Sequence, residues 1–270
     1  MNMKTRQILL LFSFALLPGG CATFSQEHQV NAVVYKQTAA EARALYYQAF
    51  NIARLRLDKI LHTKSASHKP FAVVVDIDET VLDNTPYEVS LIQTGKENNT
   101  QSWKAWTAEA KAQATPGSVE FLQYAKSKGV HVLYITNRLI NEQDATLRNL
   151  QRLGFPEASP EHIYSLHTGN STSKESRRIE VAKRYNIIML IGDNLSDFSD
   201  EFSIPGISPR ARAVDRAKRE FGDRYIILPN PMYGDWETLG VYEGRTDLSP
   251  GEKDVLRKKV LQGDPYPPKE

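Results

Sequence analysis

Four aspartates and a lysine are the residues best suited to chemistry in this chain. Asp76 and Asp78 stand two apart at the end of the apolar run FAVVVDID, and the two-residue period of a strand points both side chains to one side. A second apolar run, IIMLIGDNLSDF, delivers Asp193 and then Asp197. Between them VLYIT ends in Thr136, and NSTSKESRR opens a helix close to Lys174. Acids at the mouth of a buried strand are poorly explained by stability, where their ordinary roles are helix capping and ion pairing. Clustered carboxylates offer hard oxygen ligands to Mg²⁺, a cation that commonly takes one or two carboxylates, retained waters and substrate phosphate oxygens. A carboxylate can also attack a phosphoryl group and form an acyl phosphate that water later cleaves. Charge is the obstacle, since two unit charges about 4 Å apart repel by roughly 4 kcal/mol at an effective dielectric near 20, and a phosphate dianion doubles that. Neutralisation has to precede attack.

The elements that must hold these residues alternate. FAVVVDID is short, β-branched and apolar throughout, which predicts a central parallel strand buried on both faces. Thr115 is positioned to cap a helix with Pro116 at its first position and Gly129 just past its end, before the strand VHVLYIT. Asn141 starts another helix, which stops near Gly154. HIYSL, a helix from about Ser173 to Tyr185, the strand IIMLIG, a helix within Arg210 to Phe221 and the strand YIIL complete the series. The pattern predicts an α/β fold, a doubly wound, mostly parallel sheet with helices on both faces, whose ligands sit beyond the carboxyl ends of the strands. Two segments stand apart from this rhythm. Residues of about 32–62 hold no Gly or Pro and carry apolar side chains at three-to-four spacing, which predicts one long amphipathic helix. Residues of about 84–114, with Trp103 and Trp106 in polar company, read as a small, mainly helical cap inserted over the site.

Composition sets outer limits. With 41% hydrophobic and 24% charged residues over 270 positions, the chain is neither disordered nor a multispan membrane protein. A net charge of +2 supplies no electrostatic footprint for a nucleic-acid polymer. The single cysteine, Cys21, excludes an intramolecular disulfide framework and a multi-cysteine metal site. Lys4 and Arg6, the apolar run Ile8 to Leu17 and Pro18-Gly19-Gly20 precede it in the layout of a secretory signal peptide, too short to span a membrane. LLPGGC resembles a bacterial lipoprotein box, although Pro18 stands where Leu is usual and Leu17 lies one place earlier. That resemblance implies cleavage after residue 20 and lipidation of the Cys21 thiol, which would anchor an exported domain to a membrane. Ala22, and not Asp, follows the cysteine, which by bacterial sorting habit implies the outer membrane. The organisation expected is a signal segment 1–20, a tether 21–31 and one domain over 32–270. Loss of residues 1–20 removes Lys4 and Arg6 and no acid, leaving 32 basic against 32 acidic residues.

The ordered motifs resemble those of the haloacid dehalogenase (HAD) superfamily of phosphohydrolases. DIDET (76–80) matches its nucleophile loop, Thr136 the second motif, Lys174 the third and GDNLSD (192–197) the fourth. With DIDETVLDN, ITNR, PNPMYGDWE and the lipoprotein box, the chain resembles the class C acid phosphatases, the bacterial lipoprotein e family. The resemblance implies an Mg²⁺-dependent phosphomonoesterase with Asp76 as nucleophile and Asp78 as general acid and base. Mg²⁺ would be held by Asp76, Asp193 and the backbone carbonyl of Asp78, supported by Asp197, with Lys174 and Thr136 on the transferring group. An acid at position 78 accompanies phosphatases and phosphomutases, whereas ATPases of the superfamily carry Thr there. Four carboxylates plus phosphate exceed the charge of Mg²⁺ and one lysine, which favours keeping one carboxyl protonated and so predicts an acidic optimum.

On the substrate side, Trp103, Tyr233 and Trp236 are aromatics in polar, irregular surroundings, and flat rings suit nucleobases at about 1–3 kcal/mol per stacked base. The same resemblance favours Trp103 and Tyr233 as a ring clamp for nucleoside 5'-monophosphates, including nicotinamide mononucleotide, and sets Asn137 and Arg138 on the substrate side. It also implies a homodimer. His131, His162 and His167 lie at strand ends and read as structural or surface residues, and no RHG sequence supports a histidine acid phosphatase. Two other readings remain open: a nucleotide- or partner-binding lipoprotein on an inactive scaffold, opposed by the intact acids, and a phosphotransferase using another alcohol as acceptor.

Overall fold

The segment without Gly or Pro folds as two helices where its periodicity predicts one. In the computed structural model, which describes residues 27–63 and 68–263, α1 (Glu27–Thr38) and α2 (Ala40–Thr63) are interrupted at Ala39. The cause is a tertiary contact. Lys36 Nζ bonds the Tyr46 hydroxyl and stands 3.9 Å from the ring centre. Ten residues of straight helix rise roughly 15 Å, more than the two side chains can bridge. The helix also starts inside the expected tether, because Gln29, Val30, Ala32 and Val33 form one inward face. The signal segment 1–20, Cys21 and the tether up to residue 26 lie outside the described residues. Among the described residues no helix is long and apolar enough to cross a membrane.

The remaining elements follow as β1 (Phe71–Val75), β2 (Leu82–Asp83), α3 (Thr85–Thr94), α4 (Thr100–Ala108), β3 (Gln113–Ala114), α5 (Ser118–Ser127) and β4 (His131–Leu139). After these come α6 (Gln143–Arg152), β5 (Ile163–Leu166), α7 (Glu175–Arg184), β6 (Asn186–Gly192), α8 (Ile207–Arg216), β7 (Tyr225–Ile227) and α9 (Pro250–Val260). Five strands form one parallel sheet in the order β5-β4-β1-β6-β7. Val73 and Val75 of the central strand pack with Tyr46 and Leu57 of α2 and with Phe121 and Leu122 of α5. Ala72 and Val74 face the other layer, with Val181 of α7, Phe202 and Ala213 of α8. Burial on both faces is why this strand reads as an unbroken apolar run, and each such valine stabilises the fold by roughly 1.5–3 kcal/mol.

The helix after residue 115 is capped differently from expectation. The Thr115 hydroxyl donates to the Thr80 carbonyl at 2.6 Å, and α5 begins instead after Gly117 in the left-handed region (φ 81°). Thr115 thereby ties the insertion's exit to the loop that follows β1. The insertion leaves and returns through an antiparallel pair, Leu82 with Ala114 and Asp83 with Gln113. Between them stand α3 and α4, joined by a ring cluster in which Tyr87 meets Trp103 edge-on at 5.3 Å and Trp106 at 6.5 Å.

Glu88 of α3 is buried (3% exposed) with no charge offsetting its desolvation, and burial pushes its carboxyl up from 4.5 to about 7. The folded state therefore holds this proton more tightly than the unfolded chain. Its contribution to stability is full below about pH 4.5 and is lost as pH rises to about 7. Glu88→Gln should match the parent at low pH and exceed its unfolding free energy by on the order of 3 kcal/mol above neutrality. Urea unfolding of both proteins across that range checks it. Parallel curves would remove Glu88 as a source of pH dependence.

Candidate active site

The four segments of interest meet at the carboxyl edge of the sheet: Asp76 and Asp193 just past β1 and β6, Lys174 just before α7, and Thr136 within β4, which runs on to Leu139 and not, as its sequence predicts, to Thr136. Asp76 follows β1, where its backbone N–H donates to the Ile191 carbonyl of β6 at 2.9 Å. That bond joins the two acid-bearing strands at the point where they end. Asp193 follows β6, and a short 3₁₀ turn at Leu195–Asp197 swings Asp197 back toward it. Gly192 permits the return, since a Cβ there would run into the Asp197 carboxylate. Carboxylate oxygens of Asp76, Asp193 and Asp197 lie within 4.8 Å of one another.

Lys174, at the residue before α7, reaches into this group. Its ammonium donates to Asp76 Oδ1 and, at 2.6 Å, to Asp197 Oδ1. Burial alone would lower its proton affinity, but the two carboxylates outweigh it and hold the ammonium charged. Burial, with Asp197 and Asp78 adding to it against the opposing pull of Lys174, pushes the Asp76 carboxyl up to about 7. Asp193 is pushed well up by burial and by Asp197 and Asp76, opposed by an Asn230 Nδ2 hydrogen bond at 2.8 Å. Thr80 Oγ1 at 3.1 Å and Asn194 Nδ2 at 2.9 Å also donate to Asp193. The cluster thus holds more buried anionic oxygen than its one lysine neutralises. A hard divalent cation fits it, by donor type and by the excess charge that raises Asp76 and Asp193.

Asp78 occupies the rim, with its side chain 19% exposed. Arg138 grips it through Nε at 3.0 Å and Nη2 at 2.7 Å, and Asn84 Nδ2 adds a bond at 2.9 Å. These bonds all end on Asp78 Oδ1, and Nε also reaches Oδ2 at 3.2 Å, so the paired guanidinium donors pin one oxygen firmly and the other loosely, a geometry a lysine would not impose. Arg138, expected on the substrate side, is therefore turned inward, with its side chain 1% exposed. Thr136 is buried and its hydroxyl accepts from the Arg138 backbone N–H at 3.0 Å. Asn137 is exposed, and Arg177 Nη2 donates to its Oδ1 at 2.6 Å while Nη1 bonds the Thr136 carbonyl.

Several contributors are absent from the motif-based reading. Glu79 is fully buried with a left-handed backbone (φ 59°), and its carboxyl is raised well above the ordinary range by burial and by Asp78 and Asp193. Asn84 braces it with an N–H bond at 2.8 Å to Oε1, and Trp106 Nε1 donates to Asn84 Oδ1 at 2.8 Å. The insertion is thereby bonded to the nucleophile loop. A non-glycine residue at positive φ inside DIDET carries no signature in composition.

The three candidate ring residues are not brought into contact with one another. Trp103 lies against Tyr87 and 5.8 Å from the Arg138 guanidinium, the Tyr233 hydroxyl is buried with no hydrogen-bond partner among the described residues, and Trp236 is 45% exposed. Trp236 borders a cavity of about 250 Å³ that Asp193, Asn194 and Ile207 also line. A cleft of about 930 Å³ is lined by Asn137, Ser173 and Ser196, the chain neighbours of Thr136, Lys174 and Asp197, and by Asp235, and continues to His28 and Arg257.

Comparison with known proteins bears on this geometry. The family model described as HAD superfamily, subfamily IIIB (acid phosphatase) matches residues 11–236. The class C acid phosphatase from Bacillus anthracis superposes with a TM-score of 0.83 at 42% identity, over 88% of this chain and 98% of that one. The same enzyme with tungstate bound gives 0.83 and 42%, over 90% and 99%. A stem 31 kDa glycoprotein of Glycine max is 24% identical over 225 residues, 82% of this chain and 77% of that protein.

Proposed function

Because the chain belongs to the acid phosphatases of HAD subfamily IIIB, we propose that it hydrolyses phosphomonoesters with Mg²⁺ through an aspartyl-phosphate on Asp76. The observation that carries this reading is the Asp76–Lys174–Asp197 chain buried at the edge where Asp193 also ends. Lys174, kept charged by Asp197, offsets the negative charge of the transferring group beside the nucleophile. Thr136 accepts from the Arg138 N–H and so has its own proton free to donate to a phosphoryl oxygen. Asp78, held by the Arg138 fork, protonates the departing alkoxide and then takes a proton from the hydrolytic water. Mg²⁺, held by Asp76, Asp193 and the Asp78 carbonyl with Asp197 in support, would supply Lewis-acid stabilisation of phosphoryl charge.

The substrate class we assign is nucleoside 5'-monophosphates, nicotinamide mononucleotide among them. Its support is the size of the adjoining cleft, within the usual 300–1,000 Å³ of ligand pockets, and the aromatic Trp103 beside Asp78's partner Arg138. Tyr233 is the opposing ring in this reading, and Asn137 lines the cleft. The chain works outside the cytoplasm, anchored through lipidated Cys21 in the outer membrane, and acts as a dimer.

The test is turnover of p-nitrophenyl phosphate and of a nucleoside monophosphate with Mg²⁺ or with EDTA. EDTA should abolish both activities and Mg²⁺ restore them, with the faster rates on the acidic side. Metal-independent turnover, or a rate that is flat between about pH 4 and pH 8, would sink the mechanism. In the same assay Trp103→Ala should raise KM for the nucleotide roughly 10-fold, in line with the loss of one stacked base. An equal rise for a simple alkyl phosphate would leave Trp103 a structural residue.

A further inference from the structure

His131, Glu157 and His162 lie at the amino-terminal edge of the same sheet, outside everything the phosphatase reading uses. His131 opens β4 and His162 directly precedes β5. Five residues of strand, roughly 16 Å, separate His131 from Thr136. His131 Nδ1 stands 2.8 Å from Glu157 Oε1 and His162 Nε2 stands 3.4 Å from the same oxygen. All three ligand atoms lie within 4.8 Å of one another. The edges of a tetrahedral zinc shell with bonds of about 2.0–2.1 Å are about 3.3 Å long, a length that the two edges meeting at Glu157 Oε1, 2.8 and 3.4 Å, bracket.

Further features accompany the triangle. Val132 N–H donates to Glu157 Oε2 at 2.6 Å, which turns Oε1 toward the histidines. Ser159 Oγ bonds His162 Nδ1 at 2.9 Å; with the ring proton on Nδ1, the Nε2 lone pair faces Glu157 Oε1. Outer hydrogen bonds of this kind orient metal-binding histidines. Glu157 itself has a left-handed backbone (φ 52°), a conformation that costs a non-glycine residue free energy and tends to mark functional sites. The rings of His131 and His162 are near-parallel at 6.3 Å, with Tyr185 against His131 at 5.1 Å. Lys126 Nζ is paired with Oε1 at 2.5 Å, on a side chain 46% exposed, and has to leave that oxygen for a cation to bind.

We propose that His131, Glu157 and His162 form a second metal site, for a transition-metal cation of the zinc class, with an open position toward solvent. Mixed imidazole and carboxylate donors suit such ions, whereas the carboxylate cluster at the far edge suits a harder one. The site is distinct from the phosphatase centre and does not depend on that reading.

The test is Zn²⁺ titration of the full chain, stripped with EDTA and held in saturating Mg²⁺, by calorimetry, with Co²⁺ absorption as the spectroscopic readout. One equivalent is expected to bind, to survive in Asp193→Asn, and to weaken at least about 100-fold in His131→Ala and in His162→Ala. Ser159→Ala should weaken it roughly 10-fold, as losses of an orienting bond do. Lys126→Ala should tighten it by removing the competing ammonium. Mg²⁺-supported phosphatase turnover should be unchanged in the histidine variants, which also reports that they fold. If His131→Ala does not fold, His162→Gln carries the comparison. No binding in Mg²⁺, loss of the equivalent in Asp193→Asn, or equal affinity in the histidine variants would each overturn the proposal and leave an ion-paired cluster.

Discussion

Asp76→Asn is expected to lower kcat for p-nitrophenyl phosphate by at least about 10⁴-fold, the scale on which removal of a covalent nucleophile acts. The loss should be chemical and not structural. Lys174 keeps its 2.6 Å bond to Asp197 in the variant, so the buried ammonium does not lose its counter-charge. Asp76 is also the member of the cluster whose carboxyl burial and like charges push up to about 7. In the metal-free parent this raised affinity for a proton stabilises the folded state below the ordinary carboxylate range and is lost as pH rises to about 7. The uncharged amide avoids that loss. EDTA-treated Asp76→Asn should therefore unfold at a denaturant concentration equal to or above the parent's at pH 8, while remaining inactive with Mg²⁺ restored. Retention of more than about a hundredth of parental turnover would exclude Asp76 as the nucleophile. Collapse of the fold would show that the cluster is a structural ion network first.

The parts of the molecule that were legible from sequence are those whose causes are local. The run FAVVVDID specifies a strand buried on both faces and delivers Asp76 and Asp78 in the same stroke, and IIMLIGDNLSD does the same for Asp193 and Asp197. What escaped has tertiary causes. Ala39 interrupts a segment of unbroken helical pattern because Lys36 finds Tyr46. Thr115 gives up the cap that its position suggests because the Thr80 carbonyl is in reach. Asn230 and Thr80 converge on Asp193 from distant parts of the chain, a relation no spacing rule contains. Arg138 is an intermediate case. Residues 136, 137 and 138 alternate buried, exposed, buried along β4, and strand parity sets Thr136 and Arg138 on the side opposite Asn137. The inward turn of Arg138 was thus available from its register, and only its partner Asp78 needed the fold.

That pairing frames the second large effect. Asp78→Asn should lower kcat for a nucleoside or alkyl phosphate by about 10²–10⁴-fold, the usual worth of a positioned general acid. The amide is nearly isosteric and still accepts from the Arg138 fork, so placement of the side chain is preserved while its capacity to give up a proton is removed. p-Nitrophenolate needs no proton to depart, and its release should be slowed far less in the first turnover. Breakdown of the acyl phosphate, which needs Asp78 as base, would then limit the steady state. Rapid mixing of Asp78→Asn with p-nitrophenyl phosphate should consequently show a burst of nitrophenolate close to one equivalent per site, followed by slow turnover. A nucleoside monophosphate should show no burst of nucleoside. Equal slowing of the first turnover for both leaving groups would mean that Asp78 orients the site without moving a proton, and that its bond to Arg138 serves position alone.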